Sequence, residues 1–437
     1  MIVPLRDAAV TTCGGKAGAL GALLRAGLPV PDGFVVPFDV YRLLTHDPDA
    51  ADEPGGSDVD GEGRADRPPG AVYLRAIETR PFPAGFLDEL AHGLDELGDV
   101  PVAVRSSADS EDTVHASGAG QHESVLAVRG VAEVADAVRT CWASLHSPRA
   151  ISYRGTHGAG HPVGGPVMAV LIHRLVDAEV SGVMFTPAEP GGSTEIEASW
   201  GLGPSVVGGT VTPDAYRVAA DGSVTSTVSD KRTRLDRDGA RLVTRDAPAT
   251  DRERPTLQDA TVARLAQLGQ QVAAVLGGPQ DIEWAITGGP QDIEWAIDGG
   301  RFWVLQARPI TATLPPASSG VPVASPSSLT GTPASAGTIT GTARIVRGPG
   351  DFSRVRPGDI LVCPYTEPAW TPLLRIAAGV VTETGGVLAH AAIVARELRI
   401  PAVVGIPDAT TTLNDGDTIT LDGAAGTVTT PDRSIDT

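Results

Sequence analysis

Oxygen-bearing side chains are concentrated in one stretch of the chain, QDIEWAIDGGRFWVLQARPI, which covers residues 291–310. If the DGG turn joins two strands, alternation places Asp292 and Glu294 on one face of the first strand. Gln306 and Arg308 likewise share a face of the returning strand. Carboxylate and amide oxygens suit Mg²⁺, and a neighbouring arginine suits a phosphate group. The alternative is a hairpin with a solvated polar face.

A glycine-rich loop, HASGAGQHES, occupies residues 115–124. Because glycine has no side chain, the backbone N–H groups of Ser117, Gly118, Ala119 and Gly120 can approach phosphate oxygens closely. An ordinary hairpin turn has the same composition, so the loop by itself does not decide between the two interpretations.

His390 stands at the start of a helix predicted over HAAIVAREL, shortly after two glycines, and no histidine lies between it and His173. The N-terminal end of a helix stabilises an anion carried on a side chain at that place. A capping or surface histidine without a chemical role is the simpler alternative.

Composition limits the class of protein. At ~150 residues per domain the 437 residues predict about three folded units, and 41% hydrophobic residues exclude a wholly disordered chain. Nucleic-acid binding is disfavoured because 34 basic and 53 acidic residues give a net charge of −19. No apolar run approaches the ~20 residues that span a bilayer, and the start MIVPLRDAAVTTCGG shows no signal peptide. The cysteines Cys13, Cys141 and Cys363 fit neither a disulfide framework nor a zinc site, so we expect a reducing cytoplasm.

Lysine is almost absent, since only Lys16 and Lys231 occur among the 34 basic residues. The bias towards Ala, Gly, Pro and Arg is typical of a GC-rich coding sequence. Against that bias a lysine indicates a position where a compact ammonium is required rather than a guanidinium. Chance survival is the alternative.

The pattern of elements is that of a mixed α/β chain. Helices are predicted over residues 84–98, 131–154 and 255–276, and another within GGKAGALGALLRAGLPVPDGFVV before a short strand. Apolar runs that alternate with turns from residue 166 onward predict strands. Residues 46–70 combine acids, Gly and Pro, and they predict a flexible acidic insertion.

The middle of the chain contains a tandem duplication, with GGPQDIEWAIT (277–287) followed by GGPQDIEWAID (288–298). Two such short copies do not make a solenoid, so we expect one extruded copy or an extra hairpin. Residues 311–328 are small, polar and Pro-rich, which is typical of a flexible interdomain linker. A separate unit of short strands and one clear helix is predicted over residues 329–430.

In their order along the chain, these motifs resemble the family of phosphoenolpyruvate synthase, pyruvate phosphate dikinase and rifampin phosphotransferase. GGKAGAL, VAVRSSADSED, the SGAGQ loop, SGVMFT, GLG…TPD and DIEWA…LQARPI follow the order of that family's ATP-grasp nucleotide domain. LVCPYTEPAWTPLL, TETGGVLAHAAIVAREL and IPAVVG are similar to its swivelling phosphohistidine domain. The resemblance implies an α/β fold, with an ATP-grasp domain of two subdomains over residues 1–310. A β/β/α phosphohistidine domain over residues 329–430 follows it.

The resemblance also implies roles for individual residues. The groups expected at the nucleotide are Lys16, Arg105, the lid Ser117 to Gln121, Asp292, Glu294, Gln306 and Arg308. Glu294 and Gln306 would hold one or two Mg²⁺ ions, and Lys16, Arg105 and Arg308 would neutralise transition-state charge. The terminal phosphates of ATP would pass to His390, with one released. The phosphohistidine would then donate to an acceptor, giving AMP and phosphate overall.

The sequence departs from the family pattern at three places. Pro204 stands where the GLGE motif has its glutamate, and Leu388 and Ala389 replace the Ser or Thr often found before the phosphohistidine. That second change affects how the imidazole is oriented. The sequence also shows no counterpart of the family's third unit, a pyruvate-binding barrel or an antibiotic-binding domain.

The acceptor therefore stays open. One hypothesis is a small molecule held between the two domains, such as a specialised metabolite or an antibiotic. A second is a separate acceptor subunit that resembles the missing barrel. A third is a nucleotide-binding protein without turnover, for which Pro204 is the best support. A carboxylate–amine ligase, another ATP-grasp chemistry, would not need His390.

Overall fold

The computed structural model describes residues 1–45, 70–109, 122–148, 150–151, 165–189, 191–277, 290–310, 314 and 328–430. Four predicted features lie outside these residues, wholly or nearly so. They are the acidic insertion 46–70 apart from Gly70, the lid Ser117 to Gln121, the first copy of the duplication apart from Gly277, and the linker 311–328 apart from Leu314 and Ser328.

The chain divides into two units. The first comprises Met1–Leu175 with Gly239–Arg241, and the second comprises Val176–Asp238 with Leu242–Thr437. Each unit contains its own sheets, so each is described by itself.

The first unit is built on a five-stranded antiparallel sheet. Its strands are β1 (Val3–Pro4), β2 (Gly33–Val36), β3 (Val102–Ala108), β4 (Ser124–Val128) and β5 (Met168–Arg174), in the order β1-β2-β5-β3-β4. Its helices are α1 (Val10–Arg25), α2 (Phe38–Thr45), α3 (Ala71–Thr79), α4 (Phe86–Glu96) and α5 (Val131–Ser144). The core includes Trp142 and Tyr41, whose rings meet edge to face at 5.8 Å and are almost fully buried.

The second unit begins with a six-stranded antiparallel sheet. Its strands are β6 (Val180–Phe185), β7 (Thr194–Trp200), β8 (Asp214–Val218), β9 (Val224–Thr227), β12 (Gln291–Asp298) and β13 (Arg301–Pro309). They are arranged in the order β13-β12-β6-β7-β8-β9, and β10 (Thr233–Asp238) pairs separately with β11 (Arg241–Asp246). The helices of this part are α6 (Pro204–Val207), α7 (Ala249–Arg252) and α8 (Asp259–Gly277).

The C-terminal part of the second unit holds an eight-stranded mixed sheet. Its strands are β14 (Ser328–Thr330), β15 (Thr332–Ser335), β16 (Thr338–Ile345), β17 (Ile360–Cys363), β18 (Gly379–Thr382), β19 (Ala402–Val404), β20 (Thr418–Asp422) and β21 (Thr427–Thr429). The order is β14-β21-β20-β16-β17-β18-β19-β15, with β16 to β19 mutually parallel. The helices are α9 (Thr371–Leu374), α10 (His390–Leu398) and α11 (Ala409–Thr412).

This mixed sheet has a core on each face. Alternate residues of β17 belong to different clusters, with Leu361 packed in the cluster that contains α10 and Ile360 in the cluster that contains β20 and β21. That alternation follows from the pleat, which points successive side chains to opposite faces. The result is the predicted β/β/α arrangement, with α10 covering one side.

Most of the predicted elements are confirmed. The helices expected over 84–98 and 255–276 are α4 and α8, and the helix expected over HAAIVAREL is α10. The helix expected over 131–154 is confirmed in its first part, since α5 ends at Ser144. Helix α10 ends before Pro401, because Arg399 adopts a left-handed conformation with φ of 56°.

The three cysteines lie in the interior of the fold. Cys13, Cys141 and Cys363 are buried and free, and burial raises the pKa of the Cys363 thiol. No helix in the described part of the chain is long and apolar enough to cross a membrane.

Lys231, one of the two lysines, is a structural residue. Its Nζ donates to Asp214 Oδ1 at 2.6 Å and to the Ser229 carbonyl oxygen at 2.9 Å, and both members of the ion pair are fully buried. Asp214 Oδ2 also accepts from the backbone N–H of Thr256 at 2.8 Å. The compact ammonium is therefore enclosed by a site built for a point charge, which accounts for lysine at this position.

Removing that ammonium should destabilise the second unit. Lys231→Met leaves the Asp214 carboxylate buried without its counter-ion, and we expect the free energy of unfolding to fall by about 3–5 kcal/mol. Denaturant titration followed by fluorescence measures it. Arg232→Met is the control, because Arg232 pairs with Asp230 on the surface and should change stability little. Equal effects of the two substitutions would contradict a role for the buried pair.

Candidate functional site

Lys16 lies on α1 in the first unit, directly after a break in the helix. Gly14 has φ of 78° and ψ of 172°, values outside the helical region, and a Cβ there would lie 2.3 Å from the carbonyl oxygen of Ser107. Only glycine permits both this conformation and this approach. The turn that precedes Lys16 therefore requires glycine at position 14, the first residue of the GGK motif.

The turn before Lys16 is attached to β3, the strand that carries Arg105. Ser107 Oγ donates to the Cys13 carbonyl oxygen at 2.7 Å and accepts from the Ala17 N–H at 3.2 Å. Arg105 itself is half-buried and pairs with Leu171 of β5. The structure thus places both predicted cations of the first unit on segments that are bonded to each other.

The predicted hairpin is confirmed in the second unit. β12 and β13 are antiparallel partners, with Glu294 opposite Gln306 and Asp292 opposite Arg308. Arg308 Nε and Nη2 each donate to Asp292 Oδ2 at 2.8 Å, and both side chains are more than nine-tenths buried. The alternative interpretation, a hairpin whose polar face is solvated, is therefore wrong for Asp292 and Arg308.

The row that contains Glu294 and Gln306 continues across the sheet. Glu294 pairs with Val183 of β6, and Val183 pairs in turn with Glu197 of β7. Directly paired residues of antiparallel strands project from the same face. Gln306, Glu294, Val183 and Glu197 therefore share one face of the six-stranded sheet, and Glu197 was not among the residues predicted from the sequence.

The donor set of the hairpin fits a magnesium ion that is also held by phosphates. Glu294 supplies a carboxylate and Gln306 an amide oxygen, while Asp292 is engaged by Arg308. Within the described ranges no three His, Cys, Asp or Glu side chains form a metal-binding group. Mg²⁺ typically takes one or two protein oxygens and completes its shell with phosphates and water, so two donors suffice.

His390 is the first residue of α10, and its side chain is buried. Its Nδ1 shares a hydrogen bond of 2.9 Å with Thr366 Oγ1, from the segment that follows β17. Leu388 and Ala389, which stand where the family often has a hydroxyl residue, predicted a change in how the imidazole is oriented. In the structure the hydroxyl group at the ring comes from Thr366, which lies in the motif LVCPYTEP. No feature of the sequence predicted a role for this threonine.

The His390 loop, defined here as residues 384–389, packs on the same sheet face as Glu294. The N–H groups of Val387 and Leu388 donate to Glu197 Oε1 at 2.6 Å and Oε2 at 3.1 Å. The Thr384 hydroxyl donates to the carbonyl oxygen of Gly209 at 2.6 Å. Residues of the loop and of the sheet also belong to one apolar cluster, which contains Val183, Phe185, Val206, Val207, Val211, Ile310, Leu314, Val387 and Leu388.

The carboxyl group of Glu197 is unusual for its burial. Only 3% of the residue is exposed, and burial raises its pKa to about 7. The two backbone N–H donors and the nearby charge of Arg396 act in the opposite direction, while Glu195 adds to the rise. Burial likewise lowers the pKa of the Arg396 guanidinium to about 10.

Pro204, the departure in the GLGP motif, is the first residue of the short helix α6. Proline suits that position because its missing N–H has no partner in the first turn of a helix. The substitution therefore preserves the local backbone while removing the carboxylate that the family places there.

The comparisons with known proteins agree with this arrangement. Residues 10–289 match the family described as pyruvate phosphate dikinase, AMP/ATP-binding domain. Residues 355–426 match the family described as PEP-utilising enzyme, mobile domain. The ATP-binding domain and the mobile domain thus follow each other in the predicted order.

Relatives with curated names match nearly the whole chain. A probable phosphoenolpyruvate synthase of Methanothermobacter thermautotrophicus is 38% identical, covering 96% of this chain and 61% of that protein. The phosphoenolpyruvate synthase of Aeropyrum pernix is 34% identical, covering 95% of this chain and 56% of that protein. This chain therefore spans little more than half the length of these relatives. Because the first family match extends over more than half of the sequence, the chain belongs to the pyruvate phosphate dikinase family of AMP/ATP-binding domains, joined here to a PEP-utilising mobile domain.

Proposed function

We propose that this chain moves a phosphoryl group from ATP through His390 to an acceptor, giving AMP and phosphate. The observation that carries the proposal is the packing of the His390 loop on the sheet face that also bears Glu294 and Gln306. A histidine at the head of a helix, beside a candidate metal site, suits the receipt of a phosphoryl group. The membership of both domains in dikinase-type families supports it.

Three cations meet the phosphates of the nucleotide in this proposal. Lys16, Arg105 and Arg308 neutralise phosphate charge, and Asp292 orients Arg308 through its salt bridge. The glycine-rich segment Ser117 to Gln121, which lies outside the described residues, is proposed from its sequence to bind the phosphates. Glu294 and Gln306 hold Mg²⁺, which supplies electrostatic stabilisation where charge develops.

His390 acts as the nucleophile through Nε2. When Nδ1 carries the proton and donates to Thr366 Oγ1, the lone pair of the neutral ring stands on Nε2. The β- and γ-phosphates of ATP pass together to this nitrogen as AMP leaves, and water then attacks the terminal phosphate, which breaks the anhydride bond and releases inorganic phosphate. The remaining phosphoryl group then moves from Nε2 to the acceptor.

The acceptor is a small molecule or a separate subunit that holds one. The names of the relatives, phosphoenolpyruvate synthases, make pyruvate the first candidate to test. In this proposal residues 1–310 form the nucleotide domain, 311–328 the linker and 329–430 the mobile domain of a cytoplasmic enzyme. A binding protein without turnover is disfavoured because Lys16, Arg105, Glu294, Gln306 and His390 are all present.

Labelling tests the carrier directly. After incubation with β-labelled ATP and Mg²⁺, the protein should carry acid-labile, base-stable label, and His390→Ala should abolish it, because the substitution removes the only proposed acceptor nitrogen. His92→Ala is the matched control, since His92 is an exposed residue of α4 and should leave labelling unchanged. A wild-type chain that turns over ATP without ever carrying label would contradict the mechanism.

The duplicated sequence offers a test of the metal site. Glu294→Gln should lower ATP cleavage on the order of 100-fold or more, because it removes a charged oxygen beside the phosphates. Glu283→Gln, the equivalent change in the first copy, should have little effect, because Glu294 is the copy paired with Gln306. Release of AMP measures both. The assignment is wrong if Glu283→Gln stops cleavage and Glu294→Gln is silent.

Transfer to an acceptor requires the mobile domain to leave the sheet on which His390 is phosphorylated. The linker composition favours a flexible or extended chain, so X-ray scattering should detect more than one domain arrangement when nucleotide is added and removed. One unchanging scattering profile in all these states would count against a swivelling domain.

A further inference from the structure

We propose that Glu197 is a positioning residue that clamps the His390 loop to the nucleotide-domain sheet and so sets His390 for phosphorylation. This inference rests on the proposed function and adds to it a residue of β7, outside the predicted nucleotide-binding set. Glu197 itself touches the loop and not the reacting nitrogen.

The first observation is the bidentate geometry of the contact. Each carboxylate oxygen of Glu197 accepts one N–H, from Val387 at 2.6 Å and from Leu388 at 3.1 Å. These are successive peptide groups, and they precede His390 by three and two residues. Two bonds from one rigid carboxylate fix both the distance and the rotation of the loop, as one bond cannot.

The second observation is that the loop is shaped to admit this carboxylate. A Cβ on Gly386 would lie 2.2 Å from Glu197 Oε1 and 2.4 Å from Oε2. Gly386 is therefore required by the approach of Glu197, whereas its neighbour Gly385 is required by a left-handed φ of 106°. Glycine is thus required at both positions before His390, at Gly385 by the backbone angle and at Gly386 by the space that Glu197 occupies.

The third observation concerns the residues that lie around the bond between Glu197 and the loop. Glu197 is only 3% exposed, and two residues of the apolar cluster contact or flank it, since Val183 is its strand partner and Leu388 donates to it. Hydrogen bonds are stronger where water is excluded. The bond between the Thr384 hydroxyl and Gly209 holds the other end of the loop. A buried charged group is costly when its hydrogen bonds are not made. Displacing the loop would remove both bonds of Glu197, so the bound position of the loop is strongly favoured.

Glu197→Gln is the direct test, because glutamine keeps the shape but presents an NH₂ group to one of the two donors. Glu195→Gln is the matched control. It lies on the same strand two residues away, and its carboxylate pairs with Arg217 at 2.8 Å. Amide hydrogen exchange of a peptide covering residues 384–390 reports the contact without requiring any activity.

We expect Glu197→Gln to accelerate exchange at Val387 and Leu388 at least tenfold and to slow labelling of His390 by a similar factor. The ATP dissociation constant should stay within about twofold of wild type, because the carboxylate is used by the loop. Glu195→Gln should match wild type in all three measurements. Unchanged exchange in Glu197→Gln overturns the clamp, and faster exchange with wild-type labelling of His390 overturns its role in positioning.

A double-mutant cycle keeps the inference testable if one variant folds poorly. Gly386→Ala should reproduce the exchange and labelling defects, because its Cβ displaces the carboxylate. In a Glu197→Ala background the same change should add little, since the obstructing group is gone. Full additivity of the two changes would overturn the clamp. Wild-type protein that never carries label would instead contradict the proposed function, whatever the exchange rates show.

Discussion

The pairing register of four antiparallel strands is the constraint on which the candidate site depends. β13, β12, β6 and β7 place Gln306, Glu294, Val183 and Glu197 in one row on one face. A slip of one residue in any pairing would turn part of that row to the opposite face. The candidate metal donors would then no longer share a face with the carboxylate that holds the His390 loop.

This row explains how two chemically different tasks are served by one surface. Its β12–β13 end offers charged and amide oxygens beside a buried salt bridge, which suits phosphate and metal. Its β6–β7 end combines an apolar cluster with the Glu197 carboxylate, which suits a protein segment that must bind and then leave. The His390 loop lies on the second end, so the loop that precedes the proposed phosphoryl carrier packs on the face that also bears the candidate metal donors.

The sequence predicts the parts of the site that depend on local spacing. Alternation along each strand places Asp292 with Glu294 and Gln306 with Arg308, and the helix of His390 begins at the predicted residue. The DGG turn alone would pair Glu294 with Leu305, and a register shift between Glu294 and Trp295, which the sequence did not reveal, brings Glu294 opposite Gln306. The turn before Lys16 is also predictable, because its backbone conformation requires the glycine at position 14. These features are set within one hairpin or one turn, where short-range geometry decides.

The residues that escaped prediction act across long distances in the chain. Glu197 lies in the run TEIEASW, where alternation indicates a buried strand but gives no partner, and its partners are 190 and 191 residues away. Thr366 reaches Nδ1 of His390 from a separate loop, 24 residues earlier in the chain. Lys231 was singled out by its rarity, yet only the fold shows that it neutralises Asp214 in the core. In each case the missing information was a tertiary contact.

The most direct measurement of the central claim is the identity of the phosphorylated nitrogen. Phosphorus NMR and tandem mass spectrometry of the protein after reaction with ATP and Mg²⁺ distinguish the two ring positions of a phosphohistidine. The account predicts a single phosphoryl group on Nε2 of His390, with Nδ1 still bonded to Thr366. Phosphate on Nδ1 of His390, or on any other residue, would contradict it.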